Sequence, residues 1–185
     1  MIAVRHLSMA ELEAGVAHFR QSPKDEGTLE LVVRRPQSGA REVLGEGQLD
    51  LGEGLVGDSW RTRGSSRTAD GSAHPEMQLN LMNSRVIAHV AQDHDRWQLA
   101  GDQLFVDLDL SKANLPAGTQ LAIGTAVIEV TAEPHTGCAK FVERFGADAM
   151  KFVNSPVGKE LCLRGINAKV VQPGVVRPGD RIKKL

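Results

Sequence analysis

The chain has no tyrosine, and only five phenylalanines and two tryptophans among its 185 residues. Proteins that grip single-stranded nucleic acid stack its bases on aromatic faces, and few such faces exist here. Charge of one sign is missing as well, since 22 Lys and Arg stand against 23 Asp and Glu for a net charge of −1. With no basic stripe to follow a phosphate backbone, nucleic acid is not an expected partner. No apolar run approaches the roughly 18–20 residues of a membrane span, so no membrane partner is expected. The opening MIAVRHLSMAELEAG has neither the basic start nor the unbroken apolar stretch of a secretion signal. Cysteine is nearly absent, with only Cys138 and Cys162. In a chain of otherwise ordinary composition the expectation is reduced thiols and a cytoplasmic protein.

What is present fits one domain over residues 1–185, long enough to bury a real core. Ser8 and Glu11 have the spacing of a capping box, and Leu12, Val16 and Phe19 recur at helical intervals. They predict a helix over residues 8–20 within an N-terminal extension over residues 1–27. TLELVVRRP, rich in β-branched residues and closed by Pro36, predicts a strand, and REVLGEGQLDLGEGLVGD a second one ending in a turn. Residues 61–75, RTRGSSRTADGSAHP, are almost free of apolar side chains and predict a flexible loop beside the site. MQLNL reads as a strand, with Asn83 capping a helix over SRVIAHVAQ. DQLFVDLDL alternates as a half-buried strand would, and TQLAIGTAVIEVT gives one or two strands bent at Gly124. Ser155 and Pro156 open a further helix, and the C-terminal segment reads as two short strands between Pro-Gly turns. Strands outnumber helices and no βαβ alternation stands out. The expected fold is mainly β, a barrel with several short helices.

The chemistry concentrates in TAEPHTGCAKFVERFG, residues 131–146. Pro134 ends a strand, Gly137 permits a tight turn, and Phe141, Phe145 and Ala149 then fall four apart. A helix should therefore start at or next to Cys138 and break at Gly146. A thiol at a helix N-terminus faces unpaired amide hydrogens, which favours the thiolate, the form that binds metals or attacks electrophiles. His135 and Lys140 add positive partners. Spacing alone leaves Cys138 open between a small core residue and a reactive thiol. Cys162, between Leu161 and Leu163, reads as structural. His135 and Cys138 make half of a metal-site spacing with no second pair, which argues against structural zinc. Arg164, before a glycine in an apolar stretch, is open between an anion contact and an ordinary surface arginine.

EGLVGDSW (residues 53–60), LAGDQLFVDLDLS (99–111), AIGTAVIEVTAEPHTGCAKF (122–141) and LRGINAKVVQPGVVRPGDRI (163–182) resemble, in this order, the MOSC domain. That family is named for the C-terminal domain of eukaryotic molybdenum cofactor sulfurase and also occurs as small stand-alone bacterial proteins. The resemblance implies a pyruvate-kinase-like β-barrel, with the family cysteine at Cys138. In members of known chemistry this cysteine binds molybdenum in a pterin cofactor or is thought to carry sulfur, and some members reduce N-hydroxylated compounds. The family's Gly-Asp motif falls on Gly57 and Asp58, and its Arg-Gly segment on Arg164 and Asn167. Where members often read Gly-Glu-Asn-Leu this chain has Gly101-Asp102-Gln103-Leu104, and Ser59 stands where Arg or Lys is common.

The implied cofactor is the molybdenum cofactor (molybdopterin), with Cys138 as metal ligand and catalytic residue. His135, Lys140, Arg164, Asn167, Asp58 and Arg61 are its expected binding residues, Arg164, Lys140 and Arg61 serving the pterin phosphate. Arg164 and Asn167 are expected to face Cys138 across one pocket. No pyridoxal phosphate is expected on this chain. An oxidoreductase of this kind would act on a small-molecule substrate and borrow a separate reductase. The alternative is a sulfur carrier holding a Cys138 persulfide, served by a sulfurtransferase, or a module that delivers cofactor.

Overall fold

The computed structural model describes residues 5–185. Strand β1 (Glu26–Arg34) is followed by β2 (Glu42–Leu44), β3 (Gly47–Asp50), β4 (Gly54–Leu55) and β5 (Leu79–Asn83). After β6 (Leu104–Asp107) come β7 (Gln120–Ile123), β8 (Ala126–Val130), β9 (Ile166–Gln172), β10 (Gly174–Val176) and β11 (Arg181–Lys184). Seven of these strands run in the order β11-β7-β8-β9-β5-β6-β1, and pairing of β1 with β11 closes the circle into a barrel. Closure removes the sheet edges, and the expected β-barrel is what forms. β2 extends the sheet beyond β1, while β10, β3 and β4 make a small second sheet.

All barrel pairings but one are antiparallel. The exception is β5 with β6, which run parallel and are joined through α4 (Ser84–Ala91) and a tighter helical segment, His94–Ala100. A βαβ crossover is thus present that the sequence reading denied, because α4 is short and its second strand lies after an irregular segment. The C-terminal segment likewise holds three strands instead of two, β9 and β11 in the barrel and β10 in the small sheet. TQLAIGTAVIEVT resolves into a hairpin of β7 and β8 that turns at Gly124, whose φ is +54°.

The barrel interior is filled by Leu29, Val32, Leu81, Leu104, Val106, Ile128, Ala168 and Ile182 among others, all buried. A second apolar layer lies outside the wall, where Leu31, Val33, Met82 and Phe105 meet Phe19, Ile87, Trp97, Phe141, Phe145 and Phe152. One register fault makes the two layers possible. β1 shifts register against β6 between Leu29 and Leu31, so Leu29 points inward while Leu31 points under the helices. The same outer layer explains why DQLFVDLDL is not half-exposed. Leu104 and Val106 face the interior, Phe105 is covered by helices, and the strand ends at Asp107. Truncating Phe105 to Ala would cost about 3–5 kcal/mol.

The N-terminal extension is helical but interrupted. α1 (Met9–Glu13) and α2 (Val16–Phe19) part at Gly15, where a Cβ would meet Phe19 Cζ at 2.5 Å. Glu11 accepts from both the backbone N–H and the hydroxyl of Ser8, at 2.9 and 2.8 Å. Asn83 caps α4 by accepting from Arg85 N and Val86 N. α3 (Trp60–Arg63) occupies the start of the expected loop over 61–75. The rest of that stretch is tied internally through Ser65 N to Gly71 O and Thr68 Oγ1 to Ser72 O. α5 (Ala139–Phe145), α6 (Ala147–Val153) and α7 (Pro156–Glu160) complete the outer layer. Among the described residues no helix is long and apolar enough to cross a membrane.

Candidate functional site

Several chain ends meet around β5 at one mouth of the barrel. β1 finishes and β5 and β6 begin there, and β8 finishes and the antiparallel β9 begins alongside because β9 overlaps β5 only over Leu79–Leu81, so residues 35, 78–80, 101–104, 131–135 and 164–167 gather around it. The segment after β8 leaves this mouth and enters α5 with Cys138 as its N-cap, in an extended conformation at φ −130° and ψ 177°. The expected strand-loop-helix geometry is present, and α5 ends at Gly146, whose φ is +94°. Gly137 N donates to Asn154 Oδ1 at 3.2 Å, which pins the loop to the end of α6. The Cys138 side chain is exposed and Cys138 O receives Phe141 N and Val142 N.

Beside this loop lies a cavity of about 450 Å³. Glu133, Pro134, His135 and Thr136 form one wall, and Leu115, Val130, Val153 and Ile166 supply apolar lining. Lys112, Lys159, Cys162 and Arg164 complete it. Cys138 is two residues beyond the last loop residue that lines the cavity.

Asp102 holds the wall together. Its side chain is fully buried, and it accepts from His135 Nε2 at 2.8 Å and from Arg164 Nη1 at 2.7 Å. Burial alone would raise its pKa, but Arg164 and His135 outweigh that and bring it down to about 2. Arg164 also donates from Nη2 to Ala100 O at 2.9 Å and lies over the Phe141 ring, 5.0 Å from its centroid. Its Nε is buried and has no partner among the described residues. Burial and the Arg164 charge push His135 below the usual imidazole value despite Asp102. A pKa lowered from 6.5 leaves His135 neutral at pH 7. With Nε2–H donated to Asp102, Nδ1 keeps the lone pair.

Gly165 makes this arrangement feasible. It has φ +113°, and a Cβ there would sit 2.1 Å from Leu81 O and 3.1 Å from His135 Cδ2. Only glycine lets the Arg164 turn pass so close to β5 and the imidazole.

The remaining residues singled out in the sequence are distributed differently. Asn167 does not face Cys138. It is fully buried, its Oδ1 accepting from Asn80 Nδ2 at 2.6 Å and its Nδ2 donating to Glu133 O at 3.0 Å. Both ends of its amide are engaged, so it braces the barrel mouth behind the cavity wall. Asp58 is equally committed, since Arg35 donates to it from N, Nε and Nη2, each at 2.9 Å, and Trp60 N adds a fourth bond. These donors lower its pKa although burial opposes them. Arg61 is exposed and its Nη1 lies near the turn at Gly52, not at the cavity. Lys140 is exposed on the first turn of α5. The structure thus brings His135 and Arg164 together at the cavity, with Cys138 just outside it, and draws Asn167, Asp58 and Arg61 elsewhere.

Sequence reasoning missed Asp102, Arg35 and Cys162. An acidic residue right after a glycine, before an apolar strand, is the one signal that could have drawn attention to Asp102. Cys162 is half-buried and lines the cavity at φ +50°, the left-handed position that ends α7. Leu163 N closes the cap by donating to Gly158 O at 2.8 Å. Its leucine neighbours say nothing of this. Burial raises the Cys162 thiol pKa, against a smaller lowering from Lys112. The loop over 61–75 does reach the site, where Arg67 Nη1 lies 3.0 Å and His74 Nε2 3.8 Å from the Glu133 carboxylate.

Comparison with protein families matches the MOSC domain over residues 58–183. Among solved structures, the YuaD protein of Bacillus subtilis superposes with a TM-score of 0.60 at 17% identity, over 86% of this chain and 95% of that one. YiiM of Escherichia coli gives 0.53 at 20% identity, over 85% of this chain and 69% of that one. YiiM of Geobacillus stearothermophilus gives 0.52 at 14% identity, over 86% and 73%. At these identities the likeness is one of fold. Comparison with curated proteins gave no match.

Proposed function

Because the chain belongs to the MOSC domain family, whose members are generally related to the molybdenum cofactor, we propose that it binds that cofactor through Cys138 and reduces small N-hydroxylated compounds. The observation that carries this reading is the placement of one exposed thiol at the end of the loop that walls the cavity. Thiolate sulfur is a soft donor of the kind that molybdenum-type centres take. Among the described residues no side chain bonds the Cys138 thiol, and the buried, unpartnered Nε of Arg164 leaves one donor of the cavity wall unspent. The donor set therefore fits the group.

When bound, the cofactor would supply the two-electron redox centre for N–O cleavage, with electrons arriving from a separate reductase. The chain's own residues hold and shape the site. Cys138 would ligate the metal. Neutral His135, locked by Asp102, presents a lone pair at Nδ1 that can hold a proton near the cavity wall. Leu115, Val130, Val153 and Ile166 keep water away from an apolar substrate body.

The exposure of Cys138 also favours a second reading, a sulfur carrier in which a sulfurtransferase loads a persulfide onto that thiol. Expression in a host that makes the cofactor, followed by metal analysis and fluorescence of the oxidised pterin, separates the two. Stoichiometric molybdenum and pterin, lost in Cys138→Ala, supports the enzyme. Metal-free and pterin-free protein carrying a persulfide on Cys138 establishes the carrier instead.

A further inference from the structure

Four consecutive carbonyls, those of Gln98, Leu99, Ala100 and Gly101, each accept a hydrogen bond from a different arginine. Arg41 Nε reaches Gln98 O at 3.1 Å, and Arg144 Nη1 reaches Leu99 O. Arg164 Nη2 and Arg35 Nη1 reach Ala100 O and Gly101 O, each at 2.9 Å. Two of these cations are matched by buried carboxylates, Arg35 by Asp58 and Arg164 by Asp102. Arg41 and Arg144 are matched by none among the described residues. Their carbonyl bonds fix the guanidinium planes but do not neutralise them. Arg41 Nη2, and Nε and Nη2 of Arg144, have no acceptor among the described residues.

The two guanidinium groups converge over Gly101, where a built Cβ would lie 3.3 Å from the free Nη2 of Arg41 and 4.0 Å from Nη1 of Arg144, the nitrogen that serves Leu99 O. The missing side chain of Gly101 thus leaves a niche that two guanidinium groups overlook. Burial, and after it the charges of Arg144 and Arg35, lower the pKa of Arg41, while Asp58 acts in the opposite direction. Two uncompensated cations held over Gly101 call for a compact, multiply charged anion. Planar guanidinium forks match the oxygens of a phosphate.

We infer that Arg41 and Arg144 form a binding site for the phosphate monoester of a small ligand, seated over Gly101. The next residue, Asp102, anchors His135 and Arg164 in the cavity wall, so the phosphate niche and the cavity share one turn of chain. A ligand spanning both would place its phosphate over Gly101 and its body toward the Cys138 loop. The phosphate comes either from such a bound cofactor or from a free phosphorylated metabolite, and the site itself does not depend on the cofactor reading.

The test uses protein free of pterin, titrated with inorganic phosphate and with phenyl phosphate by calorimetry at low ionic strength. Saturable one-site binding is expected, weakened at least about tenfold in Arg41→Ala and in the Arg41→Ala/Arg144→Ala double variant. Each variant is titrated below its own melting temperature, as folded protein, so the loss reads the ligand and not the fold. Absence of saturable binding in the parent protein, or undiminished binding in both variants, overturns the inference. Protein that retains pterin distinguishes the sources. If it no longer binds phenyl phosphate, the niche holds the pterin's own phosphate, and if binding persists, the niche serves a free phosphorylated ligand. Failure of the cofactor reading would show separately, as protein without molybdenum or pterin that still binds phosphate.

Discussion

Asp102 and Arg164, 62 positions apart in sequence, form a buried pair with Nη1 and Oδ2 at 2.7 Å, and the other carboxylate oxygen takes His135 Nε2 at 2.8 Å. The cavity wall therefore depends on one carboxylate that no part of the outside solvent reaches. Arg164, expected from the sequence to be a cofactor contact, also carries part of the fold.

Replacing Arg164 with Ala is accordingly expected to destabilise the protein by about 3–5 kcal/mol, since it strands the Asp102 charge in the interior. Asp102→Asn should have a similar cost. Combining the two should cost clearly less than their sum, because the second change removes the charge that the first left unpaired. Chemical denaturation of the two single variants and the double variant measures the coupling. Additive losses would show that the pair contributes no coupling.

The pH dependence follows from the direction of the Asp102 shift. Its folded value, about 2, lies below the ordinary 3.8, so the unfolded chain takes up this proton first as pH falls. The stabilisation is complete above the unfolded value and is lost as pH drops through the folded one. His135, also lowered, adds a loss that begins below its ordinary value of 6.5. Stability measured from pH 7 downward should decline first near the imidazole range and again in the carboxylate range. Asp102→Asn should shrink the second decline, leaving the part that Asp58, also lowered, contributes.

The two thiols should react at different rates. Cys138 is exposed, whereas Cys162 is half-buried with its pKa raised by burial. Brief treatment with iodoacetamide near neutral pH, read by peptide mass spectrometry, should modify Cys138 well before Cys162. Comparable rates would mean that the cavity opens freely to the reagent.

Cys162 occupies a backbone position at φ +50° that glycine adopts without strain. Cys162→Ala keeps the strain and loses the sulfur, while Cys162→Gly loses the sulfur and relieves about 1 kcal/mol of strain. Thermal melting should rank the glycine variant above the alanine variant. The reverse order would show that the turn is not under strain.

Glu133→Ala should loosen the stretch over residues 61–75 without unfolding the domain. Arg67 and His74 both reach Glu133 from that stretch, and partly exposed ion pairs contribute at most about 1 kcal/mol. Limited trypsin digestion should cut faster after Arg61, Arg63 or Arg67, with little change in melting temperature. An unchanged cleavage rate would assign the order of this stretch to Trp60, whose buried ring donates from Nε1 to His74 O at 3.3 Å.

Local rules carried much of this protein. The Cys138 loop, the helix after it and its end at Gly146 are written in one contiguous stretch, where strand alternation gives way to the four-residue spacing of Phe141 and Phe145. Caps at Asn83 and Ser155 were legible because a short polar side chain and the amides it serves lie within three residues. The resemblance of four segments to one family supplied the barrel. Which polar residue faces the cavity and which braces its back was decided only by packing. Asn167 and Arg164 are three positions apart, yet one spends its amide on Asn80 and the other turns to Asp102, because Gly165 bends the chain where β9 joins the barrel. The inward and outward faces of β1 could not be read either, since a single register fault against β6 reverses them. Arg41 and Arg144 gather around Gly101 from segments far apart in the chain. Sequence encodes neighbours along the chain well, but a buried charge finds its partner across it, and only closure of the barrel fixes which one.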